Sequence, residues 1–175
     1  WKDSDISLDP LKDQTIAIIG YGIQGDAQAN NLKDSGLNVI VGLKEGGTSW
    51  NKAKNDGHEV MSVAEACKKA DIIHILIPDM VQSKVYREEI EPNLSDGNAL
   101  AFSHAAAIYW GWIKAPDNVD VIMVAPKGPG SKVRETYLDG FGTPSIVAVE
   151  QDKTGTAWDR TLGIAKGIGS ARAGL

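Results

Sequence analysis

Gly20, Gly22 and Gly25 stand in a Gly-x-Gly-x-x-Gly spacing directly after the apolar run Ile16-Ala17-Ile18-Ile19. Glycines so placed act through the backbone. Gly20 permits a tight turn out of a strand, Gly22 lets the main chain approach a pyrophosphate, and Gly25 lets the next helix pack close to the strand. A helix-like segment, Asp26 to Lys33, follows. Its first turn offers unpaired N–H groups and a positive dipole end to an anion. The spacing predicts a dinucleotide site at this turn, with Tyr21, Ile23 and Gln24 forming the rest of it. The alternative is a glycine-rich turn that binds nothing.

The adenosine side is set by Val41-Gly42-Leu43-Lys44-Glu45-Gly46-Gly47-Thr48-Ser49-Trp50. An Asp or Glu after the second strand holds an unphosphorylated ribose. Here Lys44 supplies a cation, and Thr48 and Ser49 supply hydroxyls. That set favours a 2′-phosphate, hence NADP(H), with Glu45 as counter-indication and a plain polar loop as the alternative. Three further segments end at the predicted ligand edge: Leu76-Ile77-Pro78-Asp79, Ser103-His104 and Ala125-Pro126-Lys127-Gly128. Pro78 and Pro126 stop their strands. His104 exchanges protons near neutral pH, and Lys127 places a cation beside a glycine-rich turn.

Metal chemistry is poorly supported. His58 and His74 lack ligand-like spacing, and Glu88, Glu89 and Glu91 read as a solvated helix face. No Gly-x-Ser-x-Gly elbow or Cys/His dyad occurs. The lone cysteine, Cys67, reads as a small buried side chain. Ala105-Ala106-Ala107-Ile108-Tyr109-Trp110-Gly111-Trp112 follows His104 directly. Three aromatics within four positions do not follow a buried helix period. They suggest an exposed patch or a binding surface, the alternative being a short helix tucked onto the sheet.

Alternating segments must position these groups. Strands are expected at Thr15–Gly20, Asn38–Gly42, Asp71–Ile77, Ala99–Ser103, Val119–Ala125 and Ser145–Val149. Helices are expected at Gln24–Lys33, Trp50–Asp56, Val63–Lys69, Val81–Ile90, Lys132–Leu138 and Thr156–Ile168. Ser62 with Glu65 forms a capping box. This alternation predicts one α/β domain over residues 1–175: a Rossmann-like, doubly wound, mainly parallel sheet with helices on both faces. The first three βα units are expected on one side of the switch point.

With 42% hydrophobic residues and 23% charged residues the chain can build a core. Its net charge of −5 argues against a general nucleic-acid or membrane-surface role. No apolar run approaches a membrane span, and the first residues lack a signal-peptide pattern. A cytoplasmic location is the default expectation.

The chain resembles the N-terminal cofactor domain of ketol-acid reductoisomerases of the short-loop class. The resemblance rests on Ile19-Gly-Tyr-Gly-x-Gln-Gly25, Asp34-Ser-Gly36, Val41-Gly-Leu-x-Glu-Gly46 with Ser49-Trp50, Leu76-x-Pro-Asp79, Ala101-Phe-Ser-His104 and Val124-Ala-Pro-Lys-Gly-Pro-Gly130. It implies NADPH-dependent, Mg²⁺-assisted conversion of 2-acetolactate or 2-aceto-2-hydroxybutyrate in branched-chain amino-acid synthesis, by an alkyl shift and a hydride transfer. It also implies that Lys44 and Ser49 meet the 2′-phosphate and that Leu76 and Pro78 line the cofactor. His104 and Lys127 would lie near nicotinamide and substrate. In the family the Mg²⁺ carboxylates belong to a helical C-terminal domain, absent from these residues.

Departures from the family pattern cluster near this edge. Ile23, Asp26 and Asn30 replace the usual Ser, His and Leu, the segment 105–112 is aromatic, and Ser131-Lys132 replaces His-Leu. Asp26 is expected to repel an anionic cofactor and weaken binding. Together these features suggest a truncated, engineered domain without turnover of its own. Two other readings stand beside the cofactor domain: an interaction module, with Tyr109, Trp110 and Trp112 forming a homodimer surface, and a redesigned small-molecule pocket beside Ala105–Ala107.

Overall fold

Strand segments rich in Ile, Val and Ala leave no polar side for solvent, so they pair as strands covered on both faces. The computed structural model describes residues 1–175. Its seven strands are β1 (Thr15–Ile19), β2 (Asn38–Gly42), β3 (Glu59–Met61), β4 (Ile72–Ile75), β5 (Ala99–Phe102), β6 (Asp120–Pro126) and β7 (Ser145–Gln151), and they form one sheet in the order β3-β2-β1-β4-β5-β6-β7. All neighbours are parallel except β7, which runs antiparallel to β6 with an irregularity at Val121/Ile122. The chain leaves β1 toward one edge, then returns to β4 on its other side. The crevice beyond the carboxyl ends of β1 and β4 is therefore the switch point, and the doubly wound expectation holds, but of the three units expected on one side the third, at Asp71–Ile77, lies across it as β4, and the short β3 takes its place.

The helices are α1 (Ile23–Asp34), α2 (Thr48–Asn55), α3 (Val63–Lys69), α4 (Asp79–Val85), α5 (Ala106–Tyr109), α6 (Gly130–Leu138) and α7 (Ala157–Gly167). Strand periodicity divides the core between them. Ile16 and Ile18 face one apolar cluster with Leu32 of α1, Ala53 of α2 and Ile164 of α7. Ala17 and Ile19 face the other, with Ala66 and Cys67 of α3, Ile90 and Phe102. Burial pushes the Cys67 thiol up to about 12, which keeps it an unreactive core group.

Several boundaries differ from expectation for local reasons. β3 was not anticipated, since Glu59-Val60-Met61 is too short to show a period. α2 begins at Thr48, two residues early, because Gly47 supplies an extended N-cap. The helix expected over 81–90 begins at Asp79 after Pro78 and passes at Tyr86–Ile90 into a π-helical turn. The capping box at Ser62 is present, with Glu65 N–H donating to Ser62 Oγ and Ser62 N–H to the Glu65 carboxylate. No helix is long and apolar enough to cross a membrane.

One buried ion pair fastens α7 to the sheet. Asp120, fully buried at the start of β6, accepts from Arg160 Nη1 at 2.9 Å. It also accepts from the N–H groups of Lys153 and Thr154 and from the Thr154 hydroxyl, at 2.7–2.9 Å.

Candidate functional site

The three glycines do three different jobs. Gly20 adopts φ +98°, a left-handed conformation that turns the chain sharply at the end of β1. A Cβ on Gly25 would lie 2.1 Å from the Gly20 carbonyl oxygen, so the helix packs against the turn only without one. A Cβ on Gly22 would meet no protein atom within 4 Å. Gly22 caps α1 in extended backbone and offers no side-chain acceptor to the helix amides. The first amides of α1 thus face open space, as a bound anion requires.

That space is a groove of about 450 Å³ lined by Tyr21, Gly22, Ile23, Lys52, Gly130 and Arg134, among others. A second helix end reaches it. A Cβ on Gly130, the first residue of α6, would lie 2.1 Å from the Ile23 carbonyl oxygen, so the two N-termini converge in direct contact. Lys52 and Arg134 line the groove as well, each in an ion pair, with Asp26 and Asp34 respectively. This combination fits a pyrophosphate.

Asp26, expected from the sequence to repel an anionic cofactor, does not stand as an isolated charge. Its carboxylate pairs with Lys52 and accepts from Asn30 Nδ2. Asn30 also donates to the Tyr21 hydroxyl at 2.9 Å, and its Oδ1 accepts from His58 Nε2 at 3.1 Å. The Tyr21 hydroxyl donates to Asp56 at 2.8 Å. Burial, reinforced by that bond to Asp56, pushes the Tyr21 phenol well above its ordinary range. Burial, with Lys33 nearby, pushes His58 down. Asp26 and Asn30 therefore belong to one network joining the glycine turn to α2.

On the adenosine side, Lys44, Glu45 and Thr48 are exposed and Ser49 is half-buried at the start of α2. The neighbouring ion pairs join Lys52 to Asp26 and Arg134 to Asp34 and leave Lys44 out.

Beyond the switch point lies a cleft of about 180 Å³, whose lining includes Gln24, Leu76, Asp79, Gln82, Ser103 and His104. Leu76 and Pro78 bring the chain out of β4, and Leu76 N–H donates to the Ile19 carbonyl at 2.8 Å. His104 Nδ1 lies 2.6 Å from Asp79 Oδ2. Asp79 thus orients the imidazole and leaves Nε2 as its free nitrogen. Lys127 is exposed on the adjoining turn, and Gln24 Nε2 donates to the Gly128 carbonyl at 3.0 Å.

Sequence reasoning placed the glycine turn, Gln24, Leu76, Pro78 and His104 along this edge. It missed Lys52, Asp79 as the partner of His104, Gln82 and Arg134. Asp79 and Gln82 were legible as an i, i+3 pair at a helix start, and Lys52 as a cation one turn beyond Thr48. His74 is a core residue, fully buried in β4. No group of three or more His, Cys, Asp or Glu side chains is placed to hold a metal ion.

The aromatic segment combines both alternatives left open by the sequence. Residues 106–109 form one helical turn with Ala107 buried, yet Tyr109, Trp110 and Trp112 are 76%, 65% and 49% exposed. Tyr109 and Trp110 pack edge to face, with centroids 4.8 Å apart. Beside them is an apolar cavity of about 270 Å³, lined in part by Phe102, Ala105, Ile108, Tyr109, Met123 and Ala148.

Comparison with known proteins agrees with this geometry. Residues 10–174 match the family described as acetohydroxy acid isomeroreductase, NADPH-binding domain. Over all 175 residues the chain is 82% identical to the ketol-acid reductoisomerase (NADP(+)) of Nitrosopumilus maritimus and 77% identical to that of Cenarchaeum symbiosum, covering 53% of each. A solved structure of an NADH-preferring ketol-acid reductoisomerase from an uncultured archaeon superposes with a TM-score of 0.96 at 48% identity, over 99% of this chain and 54% of that one. The chain thus spans about half the length of the relatives it matches. A family match over residues 10–174, with the glycine turn and the converging helix ends it requires in place, means that this chain belongs to the NADPH-binding domain family of the acetohydroxy acid isomeroreductases.

Proposed function

We propose that this chain holds NADP(H) along the carboxyl edge of its sheet and is the cofactor-binding part of an enzyme that rearranges and reduces acetohydroxy acids. The open direction at Gly22, between two helix N-termini, carries this reading. The pyrophosphate would lie against Gly20–Gly25. The nicotinamide end would enter the cleft of Leu76, Pro78 and His104, with Lys127 at its rim. Bound NADPH supplies a hydride. The residues of this chain orient that cofactor and, through the Asp79–His104 pair, hold a nitrogen able to exchange a proton at the substrate side. Mg²⁺ would need carboxylates that this chain does not bring together, so turnover is assigned to the longer protein and not to these residues alone.

The preference for NADP(H) rests on Lys44 and Ser49, helped by Thr48. The NADH preference of the 48% identical relative makes the ratio of the two affinities the informative quantity. Replacing both Lys44 and Ser49 by Ala would remove two charge-assisted hydrogen bonds to a 2′-phosphate held there. NADPH binding is expected to weaken about 10- to 100-fold, with NADH changed by no more than about twofold. Fluorescence titration with each nucleotide measures this. Equal weakening of both, or of neither, removes the two residues from the phosphate site.

A second reading concerns self-association. The clustered exposure of Tyr109, Trp110 and Trp112 beside an apolar cavity supports a homodimer through this face. Trp110→Ala with Trp112→Ala is expected to turn a dimer into a folded monomer in light scattering, each anchor contributing roughly 2 kcal/mol. A parent chain already monomeric at high concentration leaves this face to some other contact.

A further inference from the structure

From the core of β4 to the cleft, the side chains of His74, Ser103, Gln28 and Gln24 form a hydrogen-bond chain whose donors follow from their protons. Ser103 Oγ lies 2.8 Å from the Val124 carbonyl, which can only accept. The single hydroxyl proton is committed there. The other two neighbours of Ser103 Oγ, Gln28 Nε2 at 3.1 Å and His74 Nε2 at 3.2 Å, must therefore donate to it. His74 then carries its proton on Nε2. Its Nδ1 is left bare, and that atom is buried without a partner. Burial pushes His74 down to about 4, so the ring is neutral at pH 7.

Gln28 Nε2 gives its other proton to Gln24 Oε1 at 3.0 Å. That fixes the amide of Gln24 with Nε2 toward the Gly128 carbonyl, 3.0 Å away. Gln24 lines the cleft beside His104, and Gly128 follows Lys127 directly. Each bond thus has a fixed donor: His74 and Gln28 both donate to Ser103, and from Gln28 the donors run outward, Gln28 to Gln24 and Gln24 to the turn at Gly128. The chain of bonds meets the cleft at Ser103 and at Gln24, and it reaches the Lys127–Gly130 turn only through Gln24.

We propose that Ser103 and His74 are positioning residues, which orient the Gln24 amide and tether the Lys127–Gly130 turn to the glycine turn at the nicotinamide end of the site. The proposal rests on the cofactor reading above for its function, but not for its geometry. It predicts a dependence confined to one end of the dinucleotide. The adenosine side is held by the loop after β2 and by the Asp26–Lys52 and Tyr21–Asp56 contacts, none of which touches this chain of bonds.

Three measurements test it. In the unliganded wild-type protein, two-bond ¹H–¹⁵N NMR correlations of His74 are expected to show a neutral ring protonated at Nε2; a ring protonated at Nδ1 overturns the proposal whether or not any cofactor binds. Ser103→Ala removes the shared acceptor. It is expected to shift the side-chain amide resonances of Gln24 and the backbone amides of Gly128 and Gly130, and to weaken NADPH about 5- to 10-fold. Adenosine 2′,5′-bisphosphate, which carries only the adenosine end, is expected to bind unchanged, and Ser103→Thr, which restores the hydroxyl, to bind NADPH as the wild type does. Equal weakening of both ligands, or unshifted Gln24 resonances, contradicts the proposal. Should Ser103→Ala not fold, the His74 tautomer still decides the matter. Failure of the wild type to bind NADPH with the Nε2 tautomer present would sink the cofactor reading and leave the bond chain standing.

Discussion

Gly22→Val is expected to abolish measurable NADPH binding while leaving the fold intact. The two halves of this result have separate causes. Gly22 has φ −78° and ψ −160°, a conformation any residue adopts. A Cβ there meets no protein atom within 4 Å, so the folded chain accepts the branched side chain. The space it fills is the groove between the N-termini of α1 and α6. A pyrophosphate can approach the α1 amides only if that space is empty. Loss of those contacts is expected to weaken binding at least ~100-fold, about 3 kcal/mol. Gly25→Ala makes the contrast, since its Cβ would meet the Gly20 carbonyl at 2.1 Å and disturb the turn itself. Fluorescence titration with circular dichroism as a folding control separates the two. Undiminished affinity in Gly22→Val would move the cofactor away from the glycine turn.

The largest expected effect on stability is at Asp120. Its carboxylate is fully buried and holds Arg160, which is itself nine-tenths buried. Removing a buried carboxylate leaves the guanidinium without its counter-charge in a medium that solvates it poorly. It also strips the acceptor from the amides of Lys153 and Thr154, which start the approach to α7. Asp120→Ala is expected to cost roughly 3–5 kcal/mol, read as a lower urea midpoint. The double variant Asp120→Leu with Arg160→Met removes both charges together and is expected to recover the part of that loss due to the unpaired guanidinium, but not the part due to the amides of Lys153 and Thr154. Equal stability of wild type and Asp120→Ala would show that the pair contributes little.

Local patterns carried much of the fold. The apolar runs of β1, β2, β4, β5 and β6 and the glycine turn were legible because each is set by residues close in sequence. β3 was not, because its three residues get their strand conformation from pairing with Ile40, Val41 and Gly42 of β2. The direction of β7 was legible only as part of a mainly parallel sheet, since its alternation of side chains is the same either way. The site was legible where backbone conformation defines it, at Gly20–Gly25. It was not legible where distant side chains meet. Tyr21 finds Asp56 35 residues away, and His104 finds Asp79 25 residues away. Asp26 shows the cost of reading a charge without its neighbours. Its sign suggested repulsion, whereas Lys52, a residue of the next helix, pairs with it.

The most direct test of the central claim is an NMR titration of the amide-labelled chain with NADPH. Saturable shifts are expected at Gly20–Asp26, at Lys44–Ser49 and at Leu76–Asp79, with His104 joining them, in one binding event. Those residues come from the ends of four strands, β1, β2, β4 and β5, and meet only at the carboxyl edge around the switch point. Shifts confined to the face of Tyr109, Trp110 and Trp112, or no saturable shift at millimolar NADPH, would contradict a cofactor site on this edge.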